Sequence, residues 1–173
     1  TMAEEAPLAW ELNKGFLNMW QKDALSHDWV MPDNFHVHVK VMGKEEETVH
    51  FLNEPFTITK SVNKPTERGR SIGANVCHSL DSLGVREITR RCMYNPERVS
   101  DIHSWLHTNG TSGKGADALM VQKLSALHDK SGFLSARVLD HIQEDNIGFL
   151  DQEALQELLD NLPEKPFEVL CVH

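Results

Sequence analysis

Two hydrophobic periods alternate along the chain. Leu8, Leu12, Phe16, Met19 and Trp20 recur at helical spacing, so residues 6–25 read as a helix. Residues 28–33 break the pattern, because Pro32 restricts Met31 and has no N–H to donate. From Phe35 the period shortens to two: Phe35, Val37, Val39 and Val41 alternate with His36, His38 and Lys40, which predicts a strand. Gly43-Lys44-Glu45-Glu46 reads as a turn, followed by a returning strand over 48–53 and 56–60 that Pro55 interrupts. Residues 61–70 have neither period and contain Pro65 and Gly69, so they read as a loop.

Residues 72–92 restore the helical period. Val76, Leu80, Leu83, Val85 and Ile88 predict a buried stripe, with His78, Asp81 and Arg86 at its flank or on the opposite side. Tyr94-Asn95-Pro96-Glu97 ends this helix and opens a shorter one through Ser100, Ile102, Trp105 and Leu106. A glycine-rich loop over 108–115 leads to a helix over 116–128 carrying Leu119, Met120, Leu124 and Leu127. An Asp-Xaa-Xaa-Gly-Phe-Leu pattern then occurs at 129–134 and 145–150, an offset of 16. Each copy precedes a helical pattern, Val138, Leu139 and Ile142 in one and Leu155, Leu158 and Leu159 in the other, with Ser135 and Asp151 as N-caps. Residues 162–166 close this region, and 167–173 form a continuous apolar strand.

The length of 173 residues, 40 % of them apolar, suits one domain or two small ones sharing a core. No apolar run approaches the length of a membrane span. A basic, apolar leader is lacking, and Thr1-Met2 reads as a leftover ahead of an internal start. Cys77, Cys92 and Cys171 have no paired metal-ligand spacing, which predicts buried thiols in a reducing, intracellular setting. A net charge of −9 argues against a surface that grips nucleic acid everywhere. The charge is uneven, however: Arg68, Arg70, Arg86, Arg90, Arg91 and Arg98 fall within 31 residues, and the last third is acidic.

Several segments resemble known chemistry only in part. His36, His38 and His50 invite a metal site, since alternate strand residues share a face, but the solvent face of an antiparallel ribbon accounts for them better, because no acidic or thiol ligand joins them at a motif-like spacing. Lys60, Lys64, Arg68 and Arg70 in the loop suit phosphate contacts. Gly110–Gly115 lacks the Ser or Thr that follows Lys in a phosphate-binding loop, and no strand precedes it. The glycines of the Asp-Gly-Phe-Leu pattern come too early for a calcium loop. Asn75, Cys77, His78, Ser79 and Asp81 stand apart, because five chemically active residues fall within seven on one helix.

Asn75-Val76-Cys77-His78-Ser79-Leu80-Asp81-Ser82, followed by Arg86, resembles the His-Ser-Xaa-Asp helix of the single-subunit RNA polymerases of phage and mitochondrial type. Phe167-Glu168-Val169-Leu170-Cys171-Val172-His173 resembles that family's palm strand, in which an apolar run enters His-Asp. The motifs occur in the family order, and the preceding helix and hairpin also fit. The resemblance covers 6–93 and 167–173; Gly84 stands where many relatives carry a larger residue, and 94–166 is far longer than the family's usual connection.

This resemblance implies an α+β fold: helices, a small antiparallel hairpin and a terminal palm strand, an incomplete piece of a right-hand polymerase. Residues 1–93 would derive from the palm and fingers, 94–166 would be a mostly helical acidic insertion, and 167–173 an interrupted palm strand. His78, Ser79, Asp81 and Arg86, with Arg68 and Arg70, would face nucleic acid. His173 would adjoin the metal-binding Asp, which this chain does not contain, so no catalytic set is complete and no metal ligand is assigned. Mg²⁺ would serve the complete enzyme and is not expected for this chain alone. DNA template, RNA product and the remaining polymerase fragment or subunit would be the partners, without a membrane. The implied setting is the cytoplasm of a phage-infected bacterium, with the mitochondrion as the alternative.

Other classes compete with this reading. A protein-interaction module would keep His78, Asp81 and Arg86 as a buried polar network and offer its acidic helices to a partner. A fragment of a DNA polymerase related to family A shares the apolar strand ending in His-Asp. A hydrolase fits poorly, because Cys77 points about 100 degrees from His78 on a helix and no serine elbow occurs.

Overall fold

A computed structural model describes residues 5–52, 54–67, 69, 71–109, 117–128 and 133–170. The fold is mixed α+β, with two small two-stranded antiparallel sheets among several helices. Two compact units divide it: residues up to Trp29 with His36–Ser79, and Val30–Phe35 with the chain from Leu80 onward.

In the first unit, α1 (Pro7–Asn18) opens with proline at its first turn, where the missing N–H is no loss. It buries none of its residues, and Leu8, Leu12 and Met19 are exposed. Its contact with the start of the longest helix is made at Gly73, where a Cβ would meet Asn13 Oδ1 at 3.5 Å and Phe16 at 3.7 Å.

The proline-containing break hides a strand. β1 (Ser26–Val30) pairs with β2 (His36–Lys40), because the residues before Pro32 are free to extend. On β2 the predicted alternation is present, with Val37 and Val39 partly covered and His36, His38 and Lys40 exposed. Asp28 is paired with His38 and accepts from Ser26 Oγ at 2.9 Å. Those hydrogen bonds, His38 first, hold the Asp28 carboxyl below its ordinary value. Val41 is buried, and its backbone ties Leu25 (2.8 Å) to Lys64 (3.2 Å).

β3 (Met42–Phe51) and β4 (Glu54–Asn63) form a ten-residue antiparallel ladder. The turn expected at 43–46 is therefore absent; those residues pair with Val62, Ser61, Lys60 and Thr59. Their charges satisfy a solvated strand as well as a turn: Lys60 pairs with Glu47, and Lys64 lies 3.7 Å from Glu45. The chain reverses after Phe51, with Leu52 in the left-handed region at φ 51°. Pro55 does not interrupt β4, because it sits opposite His50 near the end of a ribbon where a missing donor costs little. His50 thus belongs to a different sheet from His36 and His38.

α2 (Ser71–Cys92) is the longest helix. Its burial departs from the expected apolar stripe: Leu80, Val85 and Ile88 are exposed, while Ile72, Ser79 and Glu87 are buried and Val76 and Leu83 partly so. Cys77, expected to be buried, is exposed, and Cys171 lies outside the described residues.

In the second unit, α3 (Pro96–Asn109) is capped by Asn95, whose Oδ1 accepts from Glu97 N–H at 3.0 Å. Asp117 caps α4 (Ala118–Ser125) and Asp151 caps α5 (Gln152–Asp160). Ser135 is a cap as predicted, but of a 3₁₀ helix over Ala136–Asp140. A second 3₁₀ turn follows at Ile147–Phe149. Segments this short seldom sustain an α-helix, and tight turns carry their side chains inward. Between them the buried Asn146 accepts from Gln143 N–H (2.7 Å) and donates to the His141 carbonyl (3.1 Å). The core of this unit gathers Ile102, Leu124, Leu127, Val138, Ile142, Ile147 and Leu155, all almost wholly buried.

The apolar segment expected as a palm strand forms no ladder over 167–170, and 171–173, including His173, lie outside the described residues. A strand needs a partner for its N–H and C=O groups, and among the described residues none runs beside it. Its tie to the rest is a hydrogen bond from Phe167 N–H to the Cys92 carbonyl at 2.8 Å, supported by Tyr94 Oη donating to Pro163 O at 2.7 Å. Leu155, with 0 % exposure, tests the helical core: Leu155→Ala should lower unfolding free energy by about 2–5 kcal/mol in a urea titration.

Candidate functional site

α2 carries the candidate site because its two faces do different work. Ile72, Val76, Ser79, Leu83 and Glu87 follow one another at steps of three or four, which puts them on one side of a helix. Ala74, Cys77, His78, Asp81, Val85 and Ile88 lie toward the other side, where all six are exposed or nearly so.

The inner side of the second unit is built from charge. Asp33, with 0 % exposure, accepts from Arg86 Nε at 2.6 Å and Nη2 at 3.0 Å, and from Arg90 Nη1 at 3.0 Å. This is fork-on-carboxylate geometry completed by a second arginine. Arg137 Nη1 reaches the Asp33 carbonyl at 3.2 Å, and the Arg86 guanidinium stacks 4.3 Å from the Phe35 ring. The loop that presents Asp33 is self-closed, with Met31 N–H on Phe35 O (2.9 Å), Asn34 N–H on Met31 O (2.8 Å) and Asn34 at φ 56°. Asparagine is among the few side chains that tolerate that conformation.

Glu87 supplies the second anchor. Its carboxylate accepts from Ser135 Oγ at 2.5 Å and from Ala136 N–H at 2.8 Å, and it lies 3.2 Å from Arg90 Nη1 and 3.8 Å from Arg91 Nε. Ser135 and Glu87 therefore share the cap of the first 3₁₀ helix. Burial on its own raises the Asp33 carboxyl, but the hydrogen bonds and charges of Arg86 and Arg90 outweigh it and lower its pKa from 3.8 to about 2.

The residues proposed from sequence separate accordingly. His78 and Asp81 face solvent. Ser79 is buried, and its hydroxyl donates to the Asn75 carbonyl at 2.7 Å within the helix. Arg86 is committed to Asp33. Arg68, Arg70 and His173 lie outside the described residues. Among the described residues no three His, Cys, Asp or Glu side chains converge as a metal site would require, His36 and His38 included.

Sequence reasoning missed Asp33, Glu87 and Ser135 as a unit. One signal was present: Glu87 shares a face with Ile72, Val76 and Leu83, and a carboxylate on a buried face needs cationic or N–H partners. No helix of the described residues is long and apolar enough to cross a membrane. No protein-family model matches the chain, and no curated protein matches its sequence.

Asp33→Asn should cost about 3 kcal/mol, the low end for breaking a buried pair, because Arg86 and Arg90 keep about a quarter of their surface in water. The folded pKa lies below the unfolded one, so the contribution of Asp33 is present above about pH 4 and is lost as pH falls toward 2. Denaturant midpoints of wild type and Asp33→Asn should therefore converge on acidification across that window.

Proposed function

We propose that this chain is part of a DNA-directed RNA polymerase of the single-subunit type, forming nucleic-acid-facing support beside the active site. The observation that carries the reading is the outward presentation of His78 and Asp81 on a 22-residue helix whose opposite side is pinned by buried charge. The His-Ser-Leu-Asp order on that helix supports the family assignment. A helix that meets a duplex or a growing strand must hold its polar groups still. The Asp33 and Glu87 networks supply that stiffness to its second half.

In this reading His78 donates to or accepts from a base or sugar edge, and Asp81 accepts from a hydroxyl or amide nearby. Ser79 stabilises the helix turn from within. Arg86 acts as a positioning residue through Asp33 and makes no direct contact. Gly84 leaves an open place on the helix, since among the described residues nothing beyond its chain neighbours and the helix's own backbone lies within 4 Å of where its Cβ would be, so a strand can approach the backbone closely. Mg²⁺ belongs to carboxylates elsewhere in the complete enzyme. The described residues here offer no such cluster, and no step through the metal is assigned to them.

A second reading has its own observation. The outward face of α5 and the end of α3 form an open surface of Glu153, Glu157, Asp160, Gln152, Gln156 and His107, which suits a basic protein partner. An interaction module would use that surface and leave His78 and Asp81 without a role.

The two readings separate in one experiment. The chain extended through the residue after His173 and reconstituted with the remaining polymerase should extend an RNA primer on a DNA template with ribonucleotides. His78→Ala should lower that rate about 10- to 100-fold with little change in melting temperature, since the residue is exposed. Incorporation of deoxyribonucleotides alone would move the assignment to a DNA polymerase. An unchanged rate in His78→Ala would remove the helix from the site.

A further inference from the structure

The β3–β4 ribbon has a water side and an apolar side. Residues opposite each other across an antiparallel ladder project to the same face. The register therefore puts Thr48, Thr57, Thr59 and Ser61 on one face and Val49, Phe51, Phe56 and Ile58 on the other. Alternation of this kind belongs to a sheet with one side covered.

Among the described residues nothing covers it. Every described residue from Lys44 to Ser61 is exposed, Phe51 at 65 % and Phe56 at 53 %. Only the base of the apolar face is closed, where the Lys64 side chain lies across Gly43 and a Cβ would come within 2.6 Å of it. A two-stranded ribbon standing alone in water is marginal at best, and it gains stability when its apolar face packs on another layer.

Charge narrows the choice of that layer. Beside the apolar residues, Glu45 and Glu47 are matched by two lysines: Lys60 pairs with Glu47, and Lys64 lies 3.7 Å from Glu45. Two acids against two bases give no pull on phosphate, and Glu46 and Glu54 on the same ribbon repel it. A face so balanced can meet its own image without repulsion.

We propose that the layer is the same face of a second copy of this chain, packed sheet on sheet as a four-stranded sandwich. A two-fold axis running along the ribbon, midway between the layers, sets β3 of each copy over β4 of the other. In the ladder Glu45 is opposite Lys60 and Val49 is opposite Phe56. The two-fold therefore brings Glu45 over Lys60 of the second copy and Val49 over its Phe56. Phe51 falls over Glu54 at the rim, where that carboxylate keeps its water. With Leu52 at the reversal, the apolar residues expose on the order of 500 Å² in each copy, so the pair covers about 1,000 Å², the lower limit of a specific interface. That is the size of a weak, reversible dimer. The proposal goes beyond the polymerase reading, and its test involves no polymerase activity.

Sedimentation velocity of the full chain from about 1 to 200 µM should show a monomer–dimer equilibrium with a Kd of about 10–100 µM. Phe56→Glu should weaken it by about tenfold or more and leave the far-ultraviolet circular dichroism unchanged, because the residue is exposed. Lys60→Glu and Glu45→Lys should each weaken it when alone, since each sets like charges across the two-fold. An equal mixture of those two variants should recover the dimer, because opposite charges then face each other. Should Phe56→Glu fold poorly, the charge variants decide. A chain that stays monomeric at the highest concentration, a dimer indifferent to Phe56→Glu, or a mixture no tighter than either charge variant alone overturns the proposal. So does a monomer whose Phe51 and Phe56 amide resonances shift on adding phosphatidylcholine vesicles or a DNA duplex, which gives the face to lipid or to nucleic acid instead.

Discussion

Asp33 is the constraint on which the second unit depends. A carboxylate with no exposed surface must be paid for in hydrogen bonds, and here Arg86 and Arg90 provide them. Once that pairing is made, the register of residues 30–35 against the second half of α2 is fixed. Glu87, one residue beyond Arg86, extends the same polar seam to Ser135 and Ala136. Three stretches distant in sequence are thereby held by charges where an ordinary domain would use leucines. The apolar core lies farther along, among α3, α4, α5 and the 3₁₀ turns.

That division explains the unusual character of α2. Its apolar residues Leu80, Val85 and Ile88 lie outward because the inward positions are taken by Ser79, Glu87 and the arginines. Exposed aliphatic side chains flanking His78 and Asp81 make a surface that is polar at its centre and apolar toward one end. Such a surface is suited to something with both an edge to hydrogen-bond and a face to cover, a description that fits a nucleic-acid strand and a neighbouring polypeptide alike.

Much of the fold was legible where a single period ran long enough. The helix over 72–92, the strand at 36–40 and the helices that follow Asn95 and lie within 116–128 follow from spacing, and the caps at Ser135 and Asp151 from their side-chain chemistry. The failures have physical causes. β1 was hidden by Pro32, which ends a strand as readily as it breaks a helix. The ladder of β3 and β4 was hidden by Gly43 and three consecutive glutamates, residues at home in turns but equally able to line a ribbon open to water. The buried side of α2 could not be read by hydrophobicity, because its long-range partners, Asp33 and Ser135, are 53 residues before Arg86 and 48 after Glu87. Of the candidate site, the exposure of His78 and Asp81 was within reach of helical geometry, whereas the commitment of Arg86 to Asp33 required the tertiary fold.

The glutamate run has a further consequence. Over ten residues β3 and β4 pair only with each other among the described residues, so each leaves one line of backbone donors and acceptors open along its outer edge. An open edge of that length is a template on which like strands stack into fibres. Glu45, Glu46 and Glu47 on one strand, with Pro55 and Lys60 on the other, set like charges and a missing donor against any second copy laid alongside. The residues that disguise the ribbon as a turn are thus the ones that oppose pairing along its open edges.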